Sequence, residues 1–152
     1  MICLLDTDSL LYVVRGLKIA APKNDRQKER LQTAKRIVAH CRQRQEAGDI
    51  VGLSAITVAE LEHGARHSTD YSEEITAVRK VLTPFVAYDF DAVGCAERYG
   101  EVRHTLESAG AVIGAMDLLI AGHAKALGAT LVTNNTRHFA RVPGLKCENW
   151  AV

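Results

Sequence analysis

Acidic residues stand at three places in this chain where an apolar run gives way to a helix-forming one. Asp6 closes Ile2-Cys3-Leu4-Leu5, Glu60 follows the run Ile50–Leu53 and its polar exit, and Asp117 opens Leu118-Leu119-Ile120-Ala121. Carboxylate oxygens are the donors that Mg²⁺ and Mn²⁺ prefer. Several carboxylates held close together raise one another's pKa and resist ionising, and a divalent cation removes that repulsion. Such a site suits phosphoryl chemistry, in which the cation activates water and neutralises developing charge.

Each acid also has a local explanation. A carboxylate leaving a buried strand is costly unless it is paired, hydrogen-bonded or bound to metal; Asp6 could equally cap the helix after it. Asp8 reads as a first-turn acid of that helix. Thr57-Val58-Ala59-Glu60 fits a capping box, with Ile56 and Leu61 placed as a hydrophobic staple, so a helix-capping role explains Glu60 without catalysis. Asp117 is either an N-cap or a ligand at the positive end of a helix. Thr133-Asn134-Asn135 ends another apolar run. Asn135 there could bind water or substrate, or cap the segment that follows.

The elements that must position these residues alternate. Strands are expected at 2–5, 50–53, 85–88 and 130–133, with a small edge strand at 145–148. Helices are expected at about 9–15, 25–47, from Ser54 or Thr57 to 66, 72–82, 91–108 and 117–127, with a short turn or helix at 136–141. Gly48, Gly110 and Gly128 close three of the helices. Alternation of this kind implies right-handed crossovers, hence an α/β fold with a mostly parallel central sheet flanked by helices. Ligands in such folds lie beyond the C-terminal ends of the strands, where Asp6 and Thr133 fall.

The bulk numbers set bounds. The length suits one compact domain over 1–152. No apolar run approaches the roughly 18–20 residues that span a bilayer, and the N-terminus lacks the basic start and cleavage site of a signal peptide. A cytoplasmic protein without membrane partners is expected. Cys3, Cys41, Cys95 and Cys147 are far apart and show no zinc spacing, so free thiols are expected. The net charge of +1 hides an asymmetry: residues 18–46 carry nine Lys/Arg against three Asp/Glu, so this basic loop-plus-helix segment is +6 and the rest −5. Local positive charge favours a polyanion, although it equally suits a solvated helix face. Arg36 and Arg42 in this segment, and Arg137 and His138 after the Thr-Asn-Asn run, are the candidate contacts to a nucleic acid.

Three stretches in order, LLDTD (4–8), SAITVAELEHGA (54–65) and IGAMDLLIAGHAKALGATLVTNNTRHF (113–139), resemble the PIN domains of VapC toxins over nearly the whole chain. The similarity is greatest to the subgroup that cuts initiator tRNA. The resemblance implies a three-layer PIN-like fold and a metal-dependent endoribonuclease. It implies a homodimer and a VapB-type antitoxin whose tail blocks the acidic pocket. Carried over by position, Asp6, Glu60 and Asp117 hold Mg²⁺ or Mn²⁺, while Thr133 and Asn135 position phosphate or water. Asn135 stands where the general PIN pattern has a fourth acid, which favours one firmly held cation over two. His138 stands where an acid is expected.

Two other readings start from the same residues. LLDTDS resembles the opening of haloacid-dehalogenase phosphatases, with Asp6 as nucleophile, Asp8 as general acid and Ser54 imitating a second motif. That pattern then wants an acid four residues after Asp117, where Ala121 stands. Alternatively, the loss of an acid at Asn135 suits a PIN-fold module that binds RNA without cutting it.

Overall fold

The computed structural model describes all of residues 1–152. Five strands, β1 (Ile2–Leu5), β2 (Ile50–Ser54), β3 (Val86–Tyr88), β4 (Thr130–Val132) and β5 (Cys147–Glu148), form one sheet in the order β3-β2-β1-β4-β5. Every neighbouring pair is parallel; Leu4 aligns with Gly52 on one side and Leu131 on the other. Seven helices connect them: α1 (Thr7–Leu17), α2 (Asp25–Glu46), α3 (Ala55–Arg66), α4 (Tyr71–Leu82), α5 (Gly94–Ser108), α6 (Ala115–Leu127) and α7 (Thr136–Phe139).

The central strand is apolar at every position because both its faces are covered. Cys3 and Leu5 join Val51, Leu53 and Val132 under α1, α2, α3 and α4, in a core that includes Leu10, Val14, Ile37, Leu61 and Val78. Leu4 points the other way and packs with Leu131 against Val102, Leu106, Leu118, Ile120 and Phe139 of α5, α6 and α7. The alternation of side chains along a strand thus divides the chain into three layers.

Most expected elements are present, with shifted ends. The expected helix at 91–108 begins only at Gly94, because the Asp91 carboxylate accepts the Val93 N–H (3.0 Å), the Gly94 N–H (2.5 Å) and the Cys95 N–H (3.3 Å). These bonds hold Asp91 below the usual carboxylate range. The segment expected at 136–141 is helical only over Thr136–Phe139. Gly128 closes α6 in the left-handed region at φ 62°. The four cysteines are free, with Cys3, Cys41 and Cys95 buried. Burial pushes the Cys41 thiol up to about 12, where it is inert. No helix is long and apolar enough to cross a membrane.

Two close approaches fix the layers, and the first lies between α5 and α6. A Cβ on Gly122 of α6 would stand 2.8 Å from Cα and 2.9 Å from N of Tyr99, so the two helices meet backbone to side-chain root. A larger residue there must push the helix pair apart, and overpacking of this kind costs about 1–3 kcal/mol. Gly122→Ala is therefore expected to lower the urea midpoint by a corresponding amount, and an unchanged midpoint would refute this packing. The second approach, at Gly16, joins α1 to α2.

Candidate active site

The sheet order reverses between β1 and β4, since the chain runs outward through β2 and β3 on one side and through β4 and β5 on the other. At such a switch point the connections leave in opposite directions and open a crevice beyond the strand ends. Asp6 and Thr133 are the first residues past β1 and β4. They are tied together there: the Asp6 N–H donates to the Val132 carbonyl at 2.9 Å, which extends the ladder by one residue.

Asp6 is only 4% exposed. Its Oδ1 accepts the Ser9 N–H at 2.8 Å, so the residue caps α1 from its place at the C-terminal end of β1. The capping and site readings of Asp6 are thus compatible. Burial raises the Asp6 pKa; bonds from the Thr133 hydroxyl and from Ser9 oppose that rise, and the Asp8 charge adds to it. Thr133 is fully buried, and its hydroxyl accepts the Asn135 N–H at 2.9 Å.

Asp117 is the third residue of α6, in its first turn; Gly114 occupies the N-cap position, so the N-cap alternative for Asp117 is corrected. Its carboxylate lies in the favourable field of the helix start. Even so, its pKa is raised, first by burial and then by the negative charges of Asp8 and Glu60, with His138 opposing. His138 Nδ1 stands 4.0 Å from Asp117 Oδ2.

Glu60 departs from its capping-box expectation. The cap of α3 is Ser54, whose Oγ accepts the Ile56 N–H at 3.0 Å. The helix therefore starts one turn before the box requires. Thr57 becomes a buried residue inside it, and Glu60 reaches across to α1. The Thr7 hydroxyl donates to Glu60 Oε1 at 2.6 Å and lies 3.1 Å from the Thr57 hydroxyl. This anchors one oxygen of Glu60.

Asn135 occupies the N-cap position of α7 but makes no side-chain cap bond, against the capping alternative. Its Nδ2 lies 2.9 Å from His138 Nδ1. Arg137 is exposed on α7 beside it. The other two candidate nucleic-acid contacts lie elsewhere. Arg36 donates to the Ala151 carbonyl at 2.7 Å. Arg42 lines an apolar groove of about 480 Å³ between α1, α2 and α4.

Two residues gain weight from the structure. Thr7 aims Glu60, and Asp8 adds a fourth negative charge felt by both Asp6 and Asp117. Both follow Asp6 closely in the sequence, but their direction depends on where α1 begins. None of Asp6, Asp8, Glu60 and Asp117 forms an ion pair with Lys or Arg; the 4.0 Å approach of His138 to Asp117 is the one basic contact. The donor set is all oxygen and its charge is uncompensated, which matches a hard divalent cation by chemistry. No three His, Cys, Asp or Glu side chains are gathered tightly enough to form a ready-made cage. Ser54 cannot serve as a phosphatase motif. It is fully buried, and its Oγ contacts the Ile56 N–H and, at 2.7 Å, His123 Nδ1.

The comparisons agree with this geometry. Residues 3–145 match the PIN domain model. The chain is 43% identical over 100 residues to ribonuclease VapC2 of Rickettsia felis, covering 66% of this chain and 74% of that one. It is 36% identical over 99 residues to the tRNA(fMet)-specific endonuclease VapC of Shigella flexneri, covering 65% and 74%. Among solved structures, the VapBC2 complex of Rickettsia felis bound to a DNA fragment from its promoter contains a chain that superposes with a TM-score of 0.83 at 33% identity, over 99% of both chains. A sheet whose switch point gathers uncompensated carboxylates and a match across nearly the whole length lead to one conclusion: the chain belongs to the PIN-domain family, among its VapC ribonucleases.

Proposed function

We propose that this protein is an endoribonuclease toxin that hydrolyses phosphodiester bonds of tRNA or another structured RNA and is restrained by a VapB-type antitoxin. The observation that carries the reading is the set of carboxylates at the β1–β4 switch point with no Lys or Arg to balance them. The relative named for tRNA(fMet) supports tRNA as substrate, and the VapBC complex supports the antitoxin. The family reading also implies a homodimer in the cytoplasm.

Asp6, Asp117 and Glu60 would hold Mg²⁺ or Mn²⁺. The bound cation would lower the cost of making a nucleophile from water and neutralise charge developing on the phosphate. The chain's own residues do the rest. The Ser9 N–H fixes Asp6, and the Thr7 hydroxyl fixes one Glu60 oxygen, leaving the other free. Asn135 positions the phosphate or water at the same rim; Thr133, expected to do so too, is fully buried and instead supports Asp6 and the Asn135 backbone. His138 lies close enough to Asp117 to moderate its charge.

Asp6→Asn and Asp117→Asn are each expected to abolish cleavage of total RNA in Mg²⁺ or Mn²⁺ while the fold persists. Asn caps a helix as well as Asp does. Full activity in either purified variant would refute the assignment, and intact RNA with the parent protein under every metal would favour a binding module. Inducing the protein alone, then with its neighbouring open reading frame, tests the toxin role: growth arrest relieved by the neighbour is the expected result.

The raised carboxyls also have a thermodynamic signature. Their folded pKa values exceed the unfolded ones, so the native chain takes up protons first as pH falls. They oppose folding at neutral pH, and that penalty relaxes as pH drops through the raised values. A cation that binds only the native state works in the same direction; at a hundred times its Kd it contributes about 2.7 kcal/mol. Mg²⁺ at neutral pH should therefore raise Tm by several degrees in the parent, and by much less in the double Asn variant. Equal shifts in both would place the cation elsewhere.

A further inference from the structure

The outer face of α1 does not end at the acids. Asp8, Tyr12 and Arg15 are exposed at helical spacing along it. Arg26, Arg30 and Thr33 repeat that spacing on α2, and the two rows face one another across a groove. Asp8, Tyr12, Arg15 and Arg30 line a depression of about 350 Å³. Tyr12 and Arg30 also line the next depression, of about 430 Å³, together with Arg26, Thr33 and Asn134. Tyr12 and Arg30 stand in the walls of both, so the two depressions adjoin along the α1–α2 crossing, and the first reaches Asp8.

The depressions flank a close helix crossing. A Cβ on Gly16 would stand 2.4 Å from the Ala34 Cβ and 2.7 Å from the Arg30 carbonyl oxygen. Only glycine allows that approach, and it brings Arg15 and Arg30 onto one groove. Neither of them, nor Arg26, is ion-paired with any carboxylate. Their guanidinium groups remain available to an external anion. Tyr12 is 38% exposed. Its hydroxyl accepts from Asn134 Nδ2 at 3.1 Å, and Asn149 Nδ2 donates to Asn134 Oδ1 at 3.1 Å. The ring is thereby tied to the polar rim after β4.

We infer that this groove between α1 and α2 carries the RNA strand on one side of the scissile phosphate, with Arg15, Arg26 and Arg30 on the phosphates and the Tyr12 ring stacked on a base. The inference rests on the nuclease reading above and extends it. Unpaired arginines beside a fixed aromatic ring combine the two interactions that hold single-stranded nucleic acid, backbone charge and base stacking. Among the acidic side chains, Asp8 lines the first depression and Glu29, next to Arg30, the second, where the arginines outnumber it. A strand bound here enters the crevice along α1, past Asp8, to Asp6 and Asp117.

The test measures binding of bulk tRNA by anisotropy in EDTA across a salt series, so that binding is read apart from cleavage. Removing Arg15 and Arg30 together, each as Arg→Gln, is expected to weaken binding about tenfold or more. The slope of log Kd against log salt should fall by about 1 for each phosphate that is no longer neutralised. Arg15→Lys with Arg30→Lys should keep most of that slope, and Tyr12→Leu should weaken binding with the slope unchanged. In Mg²⁺ or Mn²⁺ the Gln pair should raise KM for tRNA more than it lowers kcat. Melting curves check folding, and Arg26→Gln, which lies outside the helix crossing, is the fallback variant. Parental affinity and slope in the Gln pair would overturn the inference. So would parental RNA binding combined with escape from the co-expressed antitoxin, which would assign the groove to a protein partner. If the parent binds tRNA with the expected slope but cleaves nothing in any metal, the nuclease reading fails and the groove's role stands.

Discussion

Everything functional in this molecule depends on β1 pairing with β4. That pairing places Asp6 opposite the end of β4 and joins it to Val132 through a 2.9 Å backbone bond. It also creates the switch point, because β2 and β3 lie on the far side of β1 while β5 lies beyond β4. The helices that follow β1 and precede β4 must then leave in different directions, and α1 and α6 start at the same rim. Their first turns carry Asp8 and Asp117. Each helix start favours its own acid, but the fold brings together acids that repel one another. The rise in the pKa of Asp117, which burial leads and the charges of Asp8 and Glu60 reinforce, reports that conflict. Carboxylates that share one rim, Asp6 buried and Asp117 half-buried, with no Lys or Arg to balance them are a poor device for stability. Its retention in one crevice makes sense as a receptor for a cation.

Glu60 shows how the remaining acid is brought into the set. It lies in the second turn of α3, on a different element from the others. Its position depends on Ser54 capping α3, and Ser54 is in turn held by His123, sixty-nine residues away on α6. Burial holds His123 below the ordinary imidazole value, and its Nε2 has no hydrogen-bond partner. The Phe90 ring, at 5.5 Å and nearly perpendicular, flanks it. This buried contact links the start of α3 to the body of α6, so the two active-site helices cannot shift independently.

The layers and the parallel sheet were largely legible, because short apolar runs alternate with amphipathic segments and each run ends on a polar residue; the strand order came only from the structure. Asp6 was legible for the same reason: a carboxylate at the end of ICLL has to be accounted for. Glu60 was not, since Ser54 and Thr57 are both cap residues and the local pattern favoured the later one. The choice was made by His123, a tertiary contact that no window around residue 57 contains. The basic segment was visible as charge, but not which arginines were free. Arg36 is committed to the Ala151 carbonyl, and Arg42 is turned to an apolar groove. Arg15 lies outside that segment altogether and acquires its meaning from the crossing at Gly16.

The separation of charge along the chain now has a spatial counterpart on α1. One helix carries Asp6 at its cap, Asp8 in its first turn, Tyr12 in its middle and Arg15 in its last turn. The basic end complements the negative pole of the helix, as the acidic start complements the positive one. The same arrangement that stabilises the helix therefore grades its exposed face from acidic to basic. A polyanion is repelled at the acidic end until a cation is bound there and attracted at the other. With the acids neutralised, the exposed side of α1 favours a phosphate strand along its length. On the proposed reading, the uncompensated crevice and the unpaired arginines are two parts of one device, each incomplete without a cation that would let the strand reach Asp6.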